Sequence, residues 1–113
     1  MKIKTWAGLA AAGLLAFGAG AVQAQAVDED AAEKLMKKSG CNKCHSVSAK
    51  KEGPPYKETA AKYKGKPDAE QKLFTHLTTN PTVEVDGKKE RHDSPKSKDE
   101  AQIRNIARYI LTR

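Results

Sequence analysis

Apolar side chains recur at helical spacing in three parts of the chain. Each part predicts an amphipathic helix, from about Asp28 to Ser39, from Asp68 to Thr79, and from Ser97 to the C-terminus. The apolar stripes comprise Ala32, Leu35 and Met36 in the first helix, Ala69, Leu73, Phe74 and Leu77 in the second, and Ile103, Ile106, Ala107 and Ile110 in the last. The pattern therefore predicts a single all-α domain without repeats.

The segments between these stripes carry turn and cap signals. Acidic residues 28–30 favour the positive end of the first helix, and Gly40 predicts its stop. Pro54-Pro55 predicts the start of a shorter helix over 56–63. Ser97 followed by Glu100 predicts a capping box for the last helix. The only strand candidate is 82–85, so we predict one long irregular loop over 80–96.

Cys41-Asn42-Lys43-Cys44-His45 carries the clearest chemistry in the sequence. Two thiols at this spacing can each add to one vinyl group of a porphyrin, and the histidine that follows is then held under the iron. The motif predicts one covalently attached haem c, with Cys41 and Cys44 as attachment points and His45 as an iron ligand. A thiol–disulfide oxidoreductase is disfavoured, because that chemistry usually occupies a βαβ scaffold and no such pattern is present.

The N-terminal 26 residues predict a cleaved signal peptide. Lys2 and Lys4 precede a short apolar run rich in Ala and Gly, which ends at the small-x-small motif Ala24-Gln25-Ala26. A membrane anchor would need a longer apolar run. We therefore expect residues 1–26 to be removed during export, and residues 27–113 to form the mature domain without a membrane span.

The mature domain is short for a self-sufficient core. Its aromatic residues are Phe74 and three tyrosines, and both cysteines are committed to the porphyrin, which leaves none for a disulfide. A buried haem would supply the missing apolar surface. We expect the haem-free chain to fold poorly.

These features together resemble a bacterial class I cytochrome c of the small c551/c5 type. The resemblance rests on the haem motif directly after an N-terminal helix, the segment Gly53-Pro54-Pro55-Tyr56, and the closing amphipathic helix, and it spans 27–113. It implies three to four helices wrapped around one haem, with the first and last helices packed together. It also implies a periplasmic location and a hydrogen bond from His45 to the carbonyl of Pro54, which would orient the imidazole.

The chain departs from this family at the sixth iron ligand. The usual methionine precedes the last helix, whereas the methionines here are Met1 and Met36, and Met36 belongs to the apolar stripe of the first helix. His92 lies near the position of the missing methionine, and we predict it as the second metal ligand. The alternatives are His76, Lys88, Lys89 or Asn80, or an open position.

The sixth ligand decides the predicted function. Two imidazoles favour a low-spin iron suited to one-electron transfer, and histidine in place of methionine lowers the potential. The sequence therefore predicts a low-potential periplasmic electron carrier. The alternative is a haem protein whose open or labile sixth site binds a small gas (NO, O2 or CO) for sensing or scavenging.

Charge narrows the expected partners. Without Lys2 and Lys4, 19 basic residues oppose 14 acidic ones, a formal charge of +5. Lysines 43, 50, 51 and 57 flank the haem motif, so we expect a redox partner with an acidic docking patch. Nucleic-acid binding is disfavoured because no basic motif interleaved with aromatics is present. No nucleophile, acid–base pair or phosphate loop appears, so we expect no enzyme activity, and we expect a monomer.

Overall fold

The computed structural model describes residues 26–113 and, before them, Gly13 alone. The predicted signal peptide therefore lies, apart from Gly13 and Ala26, outside the described residues. The elements are α1 (Glu29–Ser39), a 3-10 turn (Cys41–Lys43), α2 (Tyr56–Tyr63), α3 (Ala69–Thr78), β1 (Thr82–Val85), β2 (Lys88–Arg91) and α4 (Glu100–Leu111). All four predicted helices are confirmed. None of the helices in this described part is long and apolar enough to cross a membrane.

The two ends of α1 are fixed by their caps. The Asp28 carboxylate accepts a hydrogen bond from the backbone N–H of Ala31 at 3.0 Å, which satisfies one free donor of the first turn. Gly40 ends the helix in the left-handed conformation (φ 77°), and its N–H bonds back to the last turn. Helix α1 therefore ends sharply at Gly40, immediately before the 3-10 turn that begins at Cys41.

The core forms where α1, α2 and α3 pack against α4. Helix α4 buries five of its twelve residues, and Ile106 and Ala107 lie at the centre with 1% and 0% exposure. Met36 is 2% exposed in the same cluster, so its predicted place in the helix-packing core is confirmed. The predicted packing of the first helix on the last is also confirmed, and it places the haem motif at one end of this helix pair.

The predicted capping box of α4 is wrong. Asp99 is the cap, and its carboxylate accepts from the N–H of Ala101 at 2.9 Å. The Ser97 hydroxyl instead accepts from the N–H of Asp99 and donates to Gln102. Both Ser97 and Asp99 are good cap residues. Which of the two caps the helix depends on the direction in which the preceding loop enters it.

The predicted irregular loop over 80–96 is wrong over residues 82–91, where the strand candidate 82–85 forms the first strand of a hairpin. Strands β1 and β2 pair antiparallel, from Thr82 opposite Arg91 to Val85 opposite Lys88. Asp86 (φ 50°) and Gly87 (φ 77°) form the two-residue turn, in the backbone conformation that matches the twist of a hairpin. The second strand escaped prediction because all of its residues are charged, so only its pairing with β1 makes it a strand.

Candidate functional site

The two thiols and the first imidazole lie on one tight loop. The backbone N–H groups of Cys44 and His45 both donate to the carbonyl of Cys41, at 3.2 and 3.0 Å. Both cysteines are free thiols and half-buried. This loop places three reactive side chains together at the end of α1, as the sequence predicts.

The orientation of His45 is fixed by the segment that follows. Its ring Nδ1 lies 2.8 Å from the carbonyl oxygen of Pro54. A carbonyl can only accept, so Nδ1 carries a proton, and in the neutral ring Nε2 keeps a free lone pair. This bond is the one that the family resemblance implies. A metal ion would therefore meet His45 through Nε2, with the ring plane already set.

Two further residues enclose the His45 ring, and the sequence did not identify either role. A side-chain carbon at Gly53 would lie 2.4 Å from Cε1 of His45, so only glycine allows the close approach. The Tyr56 ring stacks on the His45 ring, with the two ring centroids 5.5 Å apart. The tyrosine is 5% exposed. Their positions beside Pro54 and Pro55 are the only sequence signal that could have found them.

The His92 ring lies beside the His45 ring. The two ring centroids are 6.1 Å apart, and the ring planes are inclined by 52°. The hairpin holds the backbone of His92, because its N–H donates to the carbonyl of Pro81 at 2.8 Å, one position beyond the last strand pair. The Asn80 side-chain amide donates to the carbonyl of His92 at 3.0 Å. His92 therefore stands at the base of a closed hairpin.

The competing candidates occupy different positions. His76, in the last turn of α3, meets the His92 ring edge-on with centroids 4.7 Å apart. Lys88 and Lys89 are exposed on β2, and the Asn80 amide is engaged by the His92 backbone. The structure brings His45, His76 and His92 together.

Partial desolvation lowers the pKa of both neighbouring imidazoles, half-buried His92 and the more exposed His76. It lowers the pKa of His92 below the ordinary 6.5, and the nearby His76 lowers it further. The pKa of His76 is lowered in the same way, again chiefly by desolvation. The Asp93 backbone raises the pKa of His92 and so offsets part of this lowering. Among the described residues, the buried Nδ1 of His92 has no hydrogen-bond partner. Neutral imidazole is the form that binds a metal.

The surroundings of the two thiols raise the pKa of both. Burial is the main cause that raises the pKa of Cys41. The pKa of Cys44 is raised chiefly by its hydrogen bond to Glu52, whose carboxylate accepts from the thiol at 3.3 Å. A thiol with a raised pKa is a poor nucleophile at neutral pH, and this argues against the disulfide-exchange chemistry of low-pKa cysteines.

The site fits a metalloporphyrin better than a bare ion. Among the residues that the structure describes, no three His, Cys, Asp or Glu side chains are placed to hold a metal ion by themselves. A bond from histidine nitrogen to metal is about 2 Å long, so two imidazoles on opposite sides of one metal would have ring centroids roughly 6 Å apart. The His45–His92 separation of 6.1 Å agrees with that value. A helical fold that carries two thiols and an imidazole at this spacing is typical of a haem protein of the c type.

Comparison with known proteins gives the family. Residues 29–113 match the family model described as "Cytochrome c". The chain is 35% identical over 93 residues to "Cytochrome c-551" of Pseudomonas aeruginosa. The aligned residues cover 82% of this chain and 86% of the relative. The chain belongs to the cytochrome c family, and it is a class I monohaem protein with one covalently attached haem c.

Solved structures agree with this assignment. The class 1 cytochrome MtoD from Sideroxydans lithotrophicus ES-1 is 43% identical, with a TM-score of 0.74, over 77% of this chain and 97% of that chain. Wild-type Nitrosomonas europaea cytochrome c552 is 31% identical, with a TM-score of 0.57, over 71% and 96% of the two chains. The predicted small class I cytochrome c fold is confirmed.

Proposed function

We propose that this cytochrome is a low-potential, one-electron carrier of the periplasm whose iron is bound by His45 and His92. The observation that carries the proposal is the 6.1 Å separation of the two ring centroids. The haem supplies the one-electron iron couple, and the chain's own residues hold it, orient its ligands and limit access to it. Cys41 and Cys44 are the proposed attachment points.

The two histidines are prepared for this task in different ways. The Pro54 carbonyl fixes the tautomer and the plane of His45 through the 2.8 Å bond at Nδ1. The closed base of the hairpin fixes the backbone of His92 through Pro81 and Asn80. Such a ligand resists release better than one on an irregular loop, and this supports electron transfer over gas binding.

The low potential follows from the ligand type. Thioether sulfur favours ferrous iron, whereas a second imidazole favours the ferric state, and axial ligands span roughly 0.8 V in haem proteins. We expect the His92→Met variant to show a higher midpoint potential than the wild type in a spectroelectrochemical titration. An equal or lower potential would show that His92 does not bind the iron.

The ligand assignment is tested by low-temperature EPR of the ferric holoprotein. We expect a low-spin bis-imidazole signal that turns high-spin in His92→Ala and returns to low-spin when free imidazole is added. The matched control is His76→Ala, which should stay low-spin. A high-spin wild type that binds CO rapidly and stoichiometrically when reduced would instead support the gas-binding alternative.

Basic side chains near the haem motif support an acidic docking partner. Lysines 43, 50, 51 and 57 are exposed, and within the described residues none of them lies within 4 Å of a carboxylate. Lys51 instead donates to the backbone carbonyl of Asn42 at 2.7 Å. Unpaired surface charge of one sign steers association with an oppositely charged protein.

Docking and export can be tested separately. We expect Lys50→Glu and Lys57→Glu to slow electron exchange with an acidic redox protein at low salt, and Lys34→Glu on the α1 surface to have a smaller effect. Equal slowing by all three would point to net charge and not to a docking patch.

Export is tested by mass spectrometry. The periplasmic fraction should contain a chain that begins at Val27 and carries one haem.

A further inference from the structure

His76 has no place in the proposed function so far, yet its ring is in contact with the proposed ligand. It lies in the last turn of α3, one turn after the exposed Lys72. Its ring centroid is 4.7 Å from that of His92, and the two planes are inclined by 61°. An aromatic pair at this distance and angle is the favoured edge-to-face arrangement.

The hydrogen bonds of ordinary geometry at His92 hold its backbone and not its ring. The Pro81 carbonyl and the Asn80 amide both engage main-chain atoms. Within the described residues, the buried ring Nδ1 has no hydrogen-bond partner. This differs from His45, whose Nδ1 is tied to Pro54. Rotation of the His92 ring is therefore opposed mainly by what packs against it, and the nearer aromatic ring is His76, with its centroid 4.7 Å away against 6.1 Å for His45.

We propose that His76 is the positioning residue that sets the plane of the His92 imidazole relative to that of His45. This inference rests on the proposed His45–His92 ligation. The packing of α3 against α4 carries His76 to the hairpin base, so the inclination of 52° between the two ligand planes is controlled from a helix outside both ligand loops. His76 acts through His92 and does not bind the iron.

The EPR spectrum of the ferric protein tests this control directly. In a low-spin ferric haem, the angle between two axial imidazole planes sets the spread of the g values, whereas a purely structural role of His76 would leave them unchanged. We expect His76→Ala to stay low-spin with a shifted and broadened largest g value. Since loss of a residue that orients a ligand typically weakens metal binding 10- to 100-fold, CO binding to the reduced protein should also rise about tenfold.

Two variants accompany the alanine substitution. His76→Phe keeps an aromatic ring without the nitrogens and should retain the wild-type g values. Lys72→Ala, on the same helix, removes an exposed ion pair to Asp68 and should change neither readout.

Unchanged g values in His76→Ala would overturn the proposal, as would a phenylalanine variant that behaves like the alanine one. A high-spin His76→Ala protein would also overturn it, because His76 would then be a ligand. The ligand proposal fails by a different result, namely a His92→Ala protein that keeps the wild-type low-spin spectrum. The two failures are therefore distinguishable.

Discussion

A methyl group at Gly53 would lie 2.4 Å from Cε1 and 2.7 Å from Nδ1 of His45. These distances are shorter than van der Waals contact. The methyl group would collide with the same imidazole ring that donates the hydrogen bond to Pro54. The proposed proximal ligand is thus positioned by the absence of a side chain as much as by the bond that it donates.

We expect Gly53→Ala to displace the His45 ring and to weaken its bond to Pro54. Overpacking of this kind costs about 1–3 kcal/mol in free energy of unfolding. Urea denaturation and the ferric EPR spectrum should both change. The control is Gly65→Ala, which carries left-handed strain (φ 76°) but has open space around the added carbon. It should lower stability with the ligand spectrum intact; identical spectra in both variants would contradict the steric role.

Asn105 ties the entry of α1 to α4. Its side chain accepts from the N–H of Asp28 at 2.9 Å and donates to the carbonyl of the same residue at 2.8 Å. Each bond is worth about 0.5–1.5 kcal/mol, so Asn105→Ala should lower the free energy of unfolding by about 1–3 kcal/mol in urea denaturation. Asn105→Asp keeps an acceptor and loses the donor, and it should fall between. No loss in the alanine variant would mean that water replaces both bonds.

The stability should fall at alkaline pH because of Tyr56. Burial raises the pKa of its hydroxyl far above the ordinary value of 10. At a pH between the unfolded and folded pKa values, the unfolded chain has lost the Tyr56 proton and the folded chain has kept it. The contribution of Tyr56 to the free energy of unfolding is therefore fully present below pH 10 and declines above it. The limiting slope is about 1.4 kcal/mol per pH unit.

The Tyr56→Phe variant isolates this contribution. It removes the titrating hydroxyl and keeps the ring that stacks on His45. Denaturation at pH 8 and pH 11 should show a smaller alkaline loss than in the wild type. The residual loss belongs to Tyr109, whose pKa is also raised, chiefly by burial and then by its hydrogen bond to Glu33. An alkaline loss equal to that of the wild type would show that Tyr56 ionises freely in the folded protein.

The hairpin turn should control how firmly the proposed ligand His92 is held. Gly87 has a φ of 77°, which a β-branched residue adopts only with strain. Gly87→Val should therefore open the turn, loosen the base of the hairpin at His92 and speed CO binding to the reduced protein severalfold in stopped-flow experiments. Lys89→Ala, exposed in the middle of β2, serves as the control. Equal CO rates in both variants and the wild type would separate the turn from ligand retention.

Local signals predicted much of the fold correctly. The four helices follow from apolar spacing and from the residues at their ends: Gly40 ends α1 as expected, and α2 matches its predicted bounds. The haem motif was equally local, because the two cysteines and His45 act at a fixed spacing within five residues. The Ser97 cap failed because two nearby residues, Ser97 and Asp99, could serve and only the direction of the incoming chain chooses between them.

Local signals were enough to predict the helices and the thiol–imidazole motif, because each depends on residues close together in the chain, and these features carried the family resemblance. The approach of Gly53 to His45, the pairing of an all-charged β2 with β1, and the convergence of His76 and His92 from α3 and the hairpin are seen only in the folded structure. Contacts between distant segments depend on how helices pack, and neither periodicity nor spacing encodes that packing.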